Sequence, residues 1–454
     1  METSNPVNLR IPSLKQSLLK GLLYFCLASF NAQGYCQTTS TEFETSAFHQ
    51  AHQLLTDVIV TDILTPPVAS RVYVYAHVAA YETLAALPDA EYRALAQQLN
   101  QLTKAPEPPN APLNSAAAAI EALLVTGRSM IFSESMFDRA TAKIWQNFND
   151  KGYSPAIIET SRAYGRQVAQ HILAWAAKDN YKATRAMRRY TPLKRPGTWL
   201  PTPPGYMGVV EPYWNRIRTL VLDSAAQCKP VANATFSIEK TSTFYQLAQE
   251  VHQVGKNLTE EQRLIANYWD CNPFFLNTQG HLNFGTKKLS PGGHWLSIAG
   301  QVAIQKKAGL MKSSAAYTLT AIALFDGFIS CWDEKYRSNV IRPETYINAY
   351  IDESWRPLLQ TPPFPEYTSG HSVISSAVAE VLTYCFGSNI AFLDATEVPY
   401  GLPTREFKSF RQAAQEASIS RLYGGIHYRP AIENGQKQGK QIGEWVLQKV
   451  KIHK

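Results

Sequence analysis

The sequence is poor in several features that would assign a protein to a class at once. Beyond about residue 35 it has no stretch of about 18 consecutive apolar residues, the length that a transmembrane helix needs. No Cys-x-x-Cys pair and no Cys/His cluster has zinc-motif spacing. No basic run is long enough to indicate a nucleic-acid-binding arm, although the net charge is +8. We therefore expect no nucleic-acid partner and no integral membrane segment in the mature chain.

The N-terminal residues have the pattern of an export signal. Basic residues precede a short apolar stretch at 21–30, and Ala32 and Gly34 supply small residues of the kind that a signal peptidase reads. We predict a signal peptide over 1–34 and a periplasmic or secreted mature protein.

The cysteines are few, and export would permit disulfides between them. Cys228 and Cys271 are the favoured pair because both lie in loop-like contexts. Cys331 and Cys385 fall inside apolar helical patterns, so they are expected to be buried thiols.

Helical periodicity dominates the chain, and strand-like alternation is rare and short. The prolines of 190–232 break this periodicity and indicate a long ordered loop, a lid or a domain joint. The segment 315–332 has almost no polar face and predicts a central buried helix. We predict an all-α fold of helical bundles, one domain over 35–454, with the chemistry in its C-terminal half, at about 256–454. Helical patterns cover 44–64, 68–87, 113–131, 134–150, 154–182, 259–270, 294–308, 313–338, 370–386, 405–421 and about 430–449.

The first segment that carries chemistry follows the predicted buried helix. Lys335 and Arg342 are seven residues apart, about two helical turns, so both cations can share one helix face. Cations at the end of a buried helix need an anion. The alternative is a pair of surface charges, or salt bridges to Asp333 and Glu334.

The second segment is Ser369-Gly370-His371, at the start of the helix predicted over 370–386. Free N–H groups and the helix dipole make that end an anion site, and the hydroxyl adds a donor. The imidazole titrates near neutrality. The alternative is an ordinary Ser N-cap beside a bystander His.

The third segment runs from Ser420-Arg421 to His427 across a Gly-Gly break. The break lets the Arg and the His aim at one point. A guanidinium grips tetrahedral oxyanions, and a neutral imidazole ligates metals or attacks phosphorus. The alternative is a satisfied His in a turn.

In this order, Lys-x6-Arg-Pro, Ser-Gly-His and Ser-Arg-x5-His resemble the signature shared by vanadium-dependent haloperoxidases and type 2 phosphatidic acid phosphatases. The resemblance covers about 335–427 and implies a helical bundle that holds vanadate or phosphate. It implies that His427 is the axial vanadium ligand or the phosphate-attacking nucleophile, and that His371 is the acid–base group. The oxyanion-binding residues that it implies are Lys335, Arg342, Ser369, Gly370, Arg421 and His427, with Lys335 also counted among the catalytic residues.

Two positions depart from the family pattern. Ala431 stands where an Asp usually follows the last His and orients it in the phosphatases, which weakens the phosphatase interpretation. Glu433 is a candidate substitute for that Asp. Thr368 stands where Pro is usual, and we expect little effect.

Residues beside the motifs favour the haloperoxidase branch. Trp332 and Phe364 resemble the halide-side lining of haloperoxidases, although ordinary core packing would explain both aromatics equally well. Asp333 is a further halide-side or second-shell candidate, and either Asp270 or Asn272 is expected to hydrogen-bond His371.

The reaction implied by the resemblance is the oxidation of halide by hydrogen peroxide to hypohalous acid, with vanadate as cofactor. Iodide is the expected halide because it is the easiest to oxidise, and bromide stays open. Two alternatives remain. One is a secreted acid phosphatase with a phosphohistidine intermediate, and the other is a non-catalytic oxyanion-binding relative. The oligomeric state is not indicated.

Overall fold

The structure is a computed structural model that describes residues 41–88, 90–279, 282–285 and 287–454. The predicted signal peptide over 1–34 lies outside these described residues, as does Cys36, so the prediction of export stays a prediction. The single domain over 35–454, with its motif-bearing half at about 256–454, also stays a prediction. The largest hydrophobic cluster contains side chains from both halves of the chain.

The fold is mostly helical, which confirms the predicted all-α class. The helices in the described residues are α1 (41–61), α2 (Pro66–Ala85), α3 (Ser115–Arg128), α4 (Glu134–Asp150), α5 (Pro155–Ala176), α6 (Tyr181–Arg185), α7 (Thr243–Lys256), α8 (Glu260–Tyr268), α9 (Pro291–Gln305), α10 (Leu310–Ser338), α11 (Pro343–Tyr350), α12 (Gly370–Phe386), α13 (Phe410–Tyr423) and α14 (Arg429–Lys449). Short 3-10 turns lie at Trp214–Arg216 and Val398–Tyr400.

Two small antiparallel ribbons complete the described secondary structure. Strands β1 (Leu276–Gln279) and β2 (Leu282–Gly285) pair with Leu276 opposite Gly285. Strands β3 (Phe392–Asp394) and β4 (Arg405–Phe407) pair with Phe392 opposite Phe407. Each ribbon is too short to form a layer of its own, so the helices make the core.

Helix α10 is the centre of the molecule, as its apolar composition predicts. Among the described helices it is the one long and apolar enough to cross a membrane, and its most apolar 18-residue window is entirely buried within the protein. Such a sequence is also what a helix needs when other helices surround it on every side. The predicted central helix at 315–332 is thereby confirmed.

The proline-rich segment at 190–232 is an irregular ordered stretch packed on α10. The fully buried carboxylate of Asp326 accepts the backbone N–H groups of Leu220, Val221 and Leu222 at 2.7, 2.8 and 3.0 Å. Burial raises the pKa of Asp326 to about 6, and the three hydrogen bonds oppose that rise. One side chain therefore ties this segment to the central helix.

Several helix boundaries differ from the sequence expectation. The helix predicted over 154–182 ends at Ala176, and Asn180 adopts a left-handed conformation before α6 begins. The helix predicted from 405 begins at Phe410, because the preceding residues pair as β4 and Ser409 caps the helix. Helices α7 and α11 were not expected from the sequence.

The predicted Cys228–Cys271 disulfide is wrong, because both cysteines are free thiols. Cys271 instead packs against an imidazole, with its Sγ atom 3.3 Å from Nδ1 of His294. Cys331 is a buried free thiol as expected, whereas Cys385 is free and half-buried. Loop-like context was too weak a criterion for pairing, since a disulfide requires close and correctly directed Cβ atoms.

Helices α12 and α14 approach each other closely because α14 presents glycine every fourth residue. A Cβ atom on Gly439 would lie 2.0 Å from the carbonyl oxygen of Val373. One on Gly443 would lie 2.5 Å from the carbonyl oxygen of Ala377. Either contact would force the two helix backbones apart, and α12 begins with the Ser369-Gly370-His371 segment. The glycines therefore help to position that segment.

The substitution Gly439→Ala tests this contact. We expect it to destabilise the protein by about 1–3 kcal/mol, because the backbone clash outweighs the higher helix propensity of alanine. Thermal unfolding followed by circular dichroism should show a Tm several degrees lower. Gly208→Ala is the control, because the nearest atom to its added Cβ would be 3.9 Å away. Unchanged melting of Gly439→Ala would contradict the close approach of α12 and α14.

Candidate active site

The second and third sequence segments line a small cavity of about 40 Å³, and the first reaches it through Arg342, which contacts His427. Its walls come from the C-terminal half of α10, the loop before α12, the first turn of α12, the loop after α8 and the end of α13. The start of α2 also contributes, so both halves of the chain line the cavity. The lining residues are Pro66, Asp270, Cys271, Asn272, Pro273, Phe274, Pro291, Phe328, Trp332, Gln360, Pro362, Phe364, Gly370, His371, Arg421, Ile426 and His427.

His427 is held in one orientation by a buried carboxylate. Its Nδ1 atom donates to Oε1 of Glu366 at 2.8 Å, and the same oxygen accepts the N–H of Tyr428 at 2.9 Å. Its Nε2 atom therefore carries the lone pair, and it lies 3.2 Å from Nη1 of Arg342. Burial, followed by the neighbouring cations, lowers the pKa of His427 well below its ordinary value. The ring is a neutral imidazole whose Nε2 lone pair accepts from Arg342, and a neutral imidazole is the form that ligates a metal.

Glu366 is the functional residue that sequence reasoning missed. It stands in for the carboxylate absent at Ala431, a buried residue whose carbonyl oxygen accepts the N–H of Ser369 at 3.0 Å. The proposed substitute Glu433 is exposed on α14, so that suggestion is wrong. The available signal was a lone carboxylate between prolines and aromatics, three residues before Ser369.

The cations Lys335 and Arg342 are completely buried, but they do not share a helix face as predicted. Helix α10 ends at Ser338, and Arg342 is the N-cap residue of α11. Both side chains converge instead on the backbone of 364–368. The Nζ atom of Lys335 donates to three carbonyls there at 2.6 to 3.0 Å, and Nε of Arg342 donates to the carbonyl of Phe364 at 2.8 Å.

Burial makes these cations easier to deprotonate. Desolvation lowers the pKa of Lys335 to about 7 and that of Arg342 to about 10. The pKa of Arg421 is likewise lowered to about 10. The nearby carboxylates Glu366 and Asp270 raise these pKa values but do not offset the desolvation. An anion in the cavity would restore all three pKa values.

Arg421 lies on the far side of the cavity, in the last turn of α13. Its Nη2 atom donates to the carbonyl of Trp269 at 2.6 Å, and its Nε atom donates to Oγ of Ser420 at 2.9 Å. The chain then reverses at Gly425, whose φ of +76° favours glycine. This turn brings His427 back to the cavity, as the Gly-Gly break predicts.

Ser369, Gly370 and His371 form the N-terminus of α12, as predicted. The hydroxyl of Ser369 caps the helix by accepting the N–H of Ser372 at 3.3 Å. A Cβ atom on Gly370 would be in ordinary contact with Trp332 at 3.7 Å, so the glycine leaves the room of one methyl group at the cavity wall. The first-turn N–H groups of a helix are anion donors, and this space lets a ligand approach them.

His371 lies across the cavity, half-buried, with its Nε2 atom out of contact with solvent. One ring nitrogen bonds the backbone of Trp269, and the other, Nε2, has no hydrogen-bond partner within the described chain. Burial, followed by the charge of Arg421, lowers the pKa of His371 well below its ordinary value, and the Trp269 bond opposes this shift. The neutral ring therefore has its Nε2 lone pair available as a base.

The expected hydrogen bond from Asp270 or Asn272 to His371 does not form. Asp270 pairs with Lys288 at 2.5 Å, and Oδ1 of Asn272 accepts the N–H of Phe274 at 3.0 Å. The backbone carbonyl of Trp269 takes the expected role, and a side-chain motif cannot reveal a backbone acceptor.

The aromatic wall lies where the sequence places it. Trp332 and Phe364 pack with ring centroids 4.9 Å apart, and the indole N–H of Trp332 donates to the carbonyl of Val210 at 3.2 Å. Asp333 does not line the cavity, because its carboxylate accepts from Asn215 at 2.9 Å on another side of α10. The expectation of a role for Asp333 beside the cavity is therefore wrong.

Buried polar atoms without a partner in the described ranges indicate that these residues bind a tetrahedral oxyanion. Nη2 of Arg342 and Nε2 of His371 are buried without a partner among the described residues. Buried polar atoms are normally hydrogen-bonded, so unpaired ones beside a cavity indicate a ligand. The missing side chain at Gly370 and the buried cations agree with this interpretation.

Comparison with known proteins adds independent information. The family model described as VCPO second helical-bundle domain matches residues 315–453. A crystal structure of a bacterial vanadium-dependent iodoperoxidase is 48% identical, covering 90% of this chain and 97% of that one, with a TM-score of 0.84.

More distant structures share the fold. The holo and apo forms of a bacterial vanadium-dependent chloroperoxidase are 15% and 16% identical and have TM-scores of 0.63 and 0.62. They cover 86% of this chain and 93% and 95% of their own. Comparison with curated proteins gives no match. On the 48% relative, which spans nearly the whole chain, this protein belongs to the vanadium-dependent haloperoxidase family.

Proposed function

We propose that this protein is an iodoperoxidase, which uses vanadate and hydrogen peroxide to oxidise iodide to hypoiodous acid. The observation that carries the proposal is the neutral His427, whose Nδ1–H is bound by Glu366 and whose Nε2 lone pair is directed among buried cations. The 48% identical relative is described as an iodoperoxidase, which supports the choice of halide.

Vanadate would be held by residues from all three segments. His427 Nε2 would bind the vanadium, and Arg342 and Arg421 would donate to the oxyanion and neutralise it. Ser369 and the N–H of Gly370 donate hydrogen bonds at the helix N-terminus. Lys335 would contribute positive charge without donating to the oxyanion, because three backbone carbonyls already accept from its ammonium group.

Bound vanadate supplies a Lewis acid that polarises hydrogen peroxide. His371 takes up the peroxide proton at Nε2, the ring nitrogen that is free to accept it. Its lowered pKa keeps it unprotonated before the reaction, and the Trp269 carbonyl fixes the ring orientation. The buried cations stabilise the negative charge that this proton transfer leaves behind.

The apolar wall favours iodide over the smaller halides. Trp332, Phe364, Phe328 and Phe274 line one side of the cavity and offer no strong donor to replace halide hydration. Iodide is the most weakly hydrated of the common halides, so it loses least on entering such a wall. It is also the easiest of them to oxidise.

The carboxylate of Glu366 removes one argument against a phosphatase reaction. The sequence argument against a phosphohistidine mechanism was the missing carboxylate at Ala431, and Glu366 supplies a carboxylate to His427 after all. The choice of the haloperoxidase reaction therefore depends on family membership and the aromatic wall. An assay must include both reactions.

Metal-free protein reconstituted with orthovanadate should oxidise iodide with hydrogen peroxide, as measured by triiodide absorbance. We expect activity to depend on vanadate and to fall by about 100-fold or more in His427→Ala, which loses the ligand. Phosphate-ester hydrolysis by the metal-free protein, abolished by vanadate and without halide oxidation, would instead establish a phosphatase.

Glu366→Gln should weaken vanadate binding by about 10- to 100-fold, because it keeps an acceptor for His427 but removes the negative charge behind the ligand. Titration of the metal-free variant with orthovanadate, followed by iodide oxidation, measures this affinity. Glu433→Gln is the matched control on the exposed face of α14, and it should bind vanadate like the wild type. Equal affinities of the two variants would exclude Glu366 from supporting His427.

The pKa of Lys335, lowered to about 7 by burial, predicts a pH effect on vanadate binding. A bound oxyanion favours the ammonium form, so above about pH 7 binding requires the uptake of a proton. The affinity should then fall as pH rises, by up to about tenfold per pH unit. Calorimetric titrations of the metal-free protein at several pH values measure this slope.

Lys335→Gln separates this effect from the ionisation of vanadate itself. The variant lacks the titrating group, so its affinity should depend less steeply on pH even though it binds more weakly. Equal slopes in the wild type and the variant would mean that Lys335 stays charged throughout and contradict the expectation.

A further inference from the structure

A second cluster of metal-ligating side chains lies behind the active-site cavity. Cys271, His294 and Glu397 are all buried, and one potential ligand atom from each lies within 4.8 Å of the other two. They come from three separate parts of the chain: the loop after α8, the first turns of α9, and the residue before the 3-10 turn at Val398–Tyr400. The oxyanion chemistry described above uses none of them.

The distances within the cluster match the edges of a zinc tetrahedron. Sγ of Cys271 lies 3.3 Å from Nδ1 of His294 and 3.7 Å from Oε1 of Glu397, and Nδ1 and Oε1 are 3.1 Å apart. Zinc bonds of about 2.0–2.3 Å at tetrahedral angles place ligand atoms about 3.3–3.6 Å apart. A cation at the centre of this triangle needs only small movements of the three side chains.

The contacts around His294 are also those expected of a metal-bound histidine. Nε2 of His294 lies 2.7 Å from Oδ2 of Asp394, whose other oxygen accepts the N–H of Thr396 at 2.9 Å. A carboxylate on the far nitrogen is the usual support of a zinc-bound imidazole, because it fixes the ring and strengthens the ligand. The indole of Trp269 stacks on the imidazole ring of His294, with ring centroids 4.6 Å apart.

The charges of the cluster are compatible with a dication. Two carboxylates and a thiol converge on one imidazole in the interior. Without a metal, the compensation must come from a protonated His294, whose pKa is raised well above its ordinary value by Asp394 and Cys271 against the opposing effect of burial. A dication instead balances a thiolate and Glu397 directly, and leaves the imidazole neutral.

We propose that Cys271, His294 and Glu397 bind one Zn²⁺ ion, with Asp394 supporting the histidine and a water molecule completing a four-coordinate site. Thiolate, imidazole and carboxylate are together a donor set typical of zinc. Metal binding releases the thiol proton of Cys271 and the Nδ1 proton of His294 to solvent.

The proposed zinc site would stabilise the loop that orients the active site. Cys271 is two residues after Trp269, whose carbonyl accepts from Arg421 at 2.6 Å and also binds the ring of His371. A metal bond at Cys271 would hold this loop against α9 and the 394–397 segment. Zinc is therefore a positioning element for Arg421 and His371, and it takes no part in the reaction.

The test uses the full chain, stripped with a chelator and then dialysed against zinc or cobalt salts. Mass spectrometry of the dialysed wild type should find about one zinc per chain. The cobalt form should show a thiolate-to-cobalt charge-transfer band and the intense visible bands of a tetrahedral site. The zinc form should unfold at a higher temperature than the stripped form.

Cys271→Ser should lose the charge-transfer band and retain little zinc. Cys228→Ser is the matched control, because it also removes a buried free thiol but lies outside the cluster. It should keep the band and the metal. Glu397→Gln should keep the thiolate band and lower zinc affinity by about tenfold or more, since only the carboxylate ligand is weakened.

Either of two results would overturn the proposal. A wild type that retains no zinc and shows no thiolate band with cobalt would leave a metal-free imidazolium held between two carboxylates. Zinc retained equally by the wild type and Cys271→Ser would place the metal elsewhere. The wild-type spectrum decides the question even where a variant fails to fold, and neither result depends on haloperoxidase activity.

Discussion

Buried positive charge around one small cavity is the constraint on which the rest of this structure depends. Lys335, Arg342 and Arg421 are almost completely buried, and burial lowers the pKa of each. Buried cations are stable only when anions face them. Glu366 is one such anion, but its own pKa is raised to about 7 by burial, so its charge is incomplete near neutrality. An oxyanion completes the site electrostatically, and vanadate, the cofactor of the family, is an oxyanion of the required charge and shape.

The segment 364–368 organises this charge more than any single motif does. Its backbone carbonyls accept from Lys335 and Arg342, and the side chain of Glu366 fixes the tautomer of His427. The segment continues into α12, whose position depends on the glycines of α14. One short stretch of backbone therefore positions the two cations, the imidazole of His427 and the N-terminus of α12 relative to one another. A shift of α12 would change all three together.

The sequence was informative where chemistry depends on side-chain identity and order. Lys335, Arg342, His371, Arg421 and His427 could be named from motif spacing, and the all-α class followed from helical periodicity. Glu366 and the carbonyl of Trp269 could not be found in this way. The first is a carboxylate from a different segment that replaces the usual one, and the second is a backbone atom, so only tertiary packing reveals either.

Packing also explains the errors at Asp333, at the predicted disulfide and at the predicted shared helix face. Asp333 is next to Trp332 in sequence, but neighbouring residues on a helix point in different directions, so one lines the cavity and the other contacts Asn215. Helix α10 ends four residues before Arg342, so the seven-residue spacing to Lys335 says nothing about a common face. The sequence likewise contains no zinc motif, because the ligands of the proposed cluster are 23 and 103 residues apart along the chain and only the fold brings them together.

The loop at 269–272 links the two sites and gives the proposed metal a physical purpose. Trp269 accepts hydrogen bonds from Arg421 and His371 through its carbonyl and stacks its indole on His294, so one residue contacts both clusters. A metal bond at Cys271 would add to the contacts that already hold this loop, which include the Asp270–Lys288 ion pair. Proton transfer by His371 requires its Nε2 atom to stay within hydrogen-bond reach of peroxide, and small displacements are costly for such a reaction. A zinc bond at Cys271 would fix the position of the Trp269 carbonyl, which orients the ring of His371. The rigidity of the zinc site, which has no catalytic role, would in this way maintain the geometry of the active site.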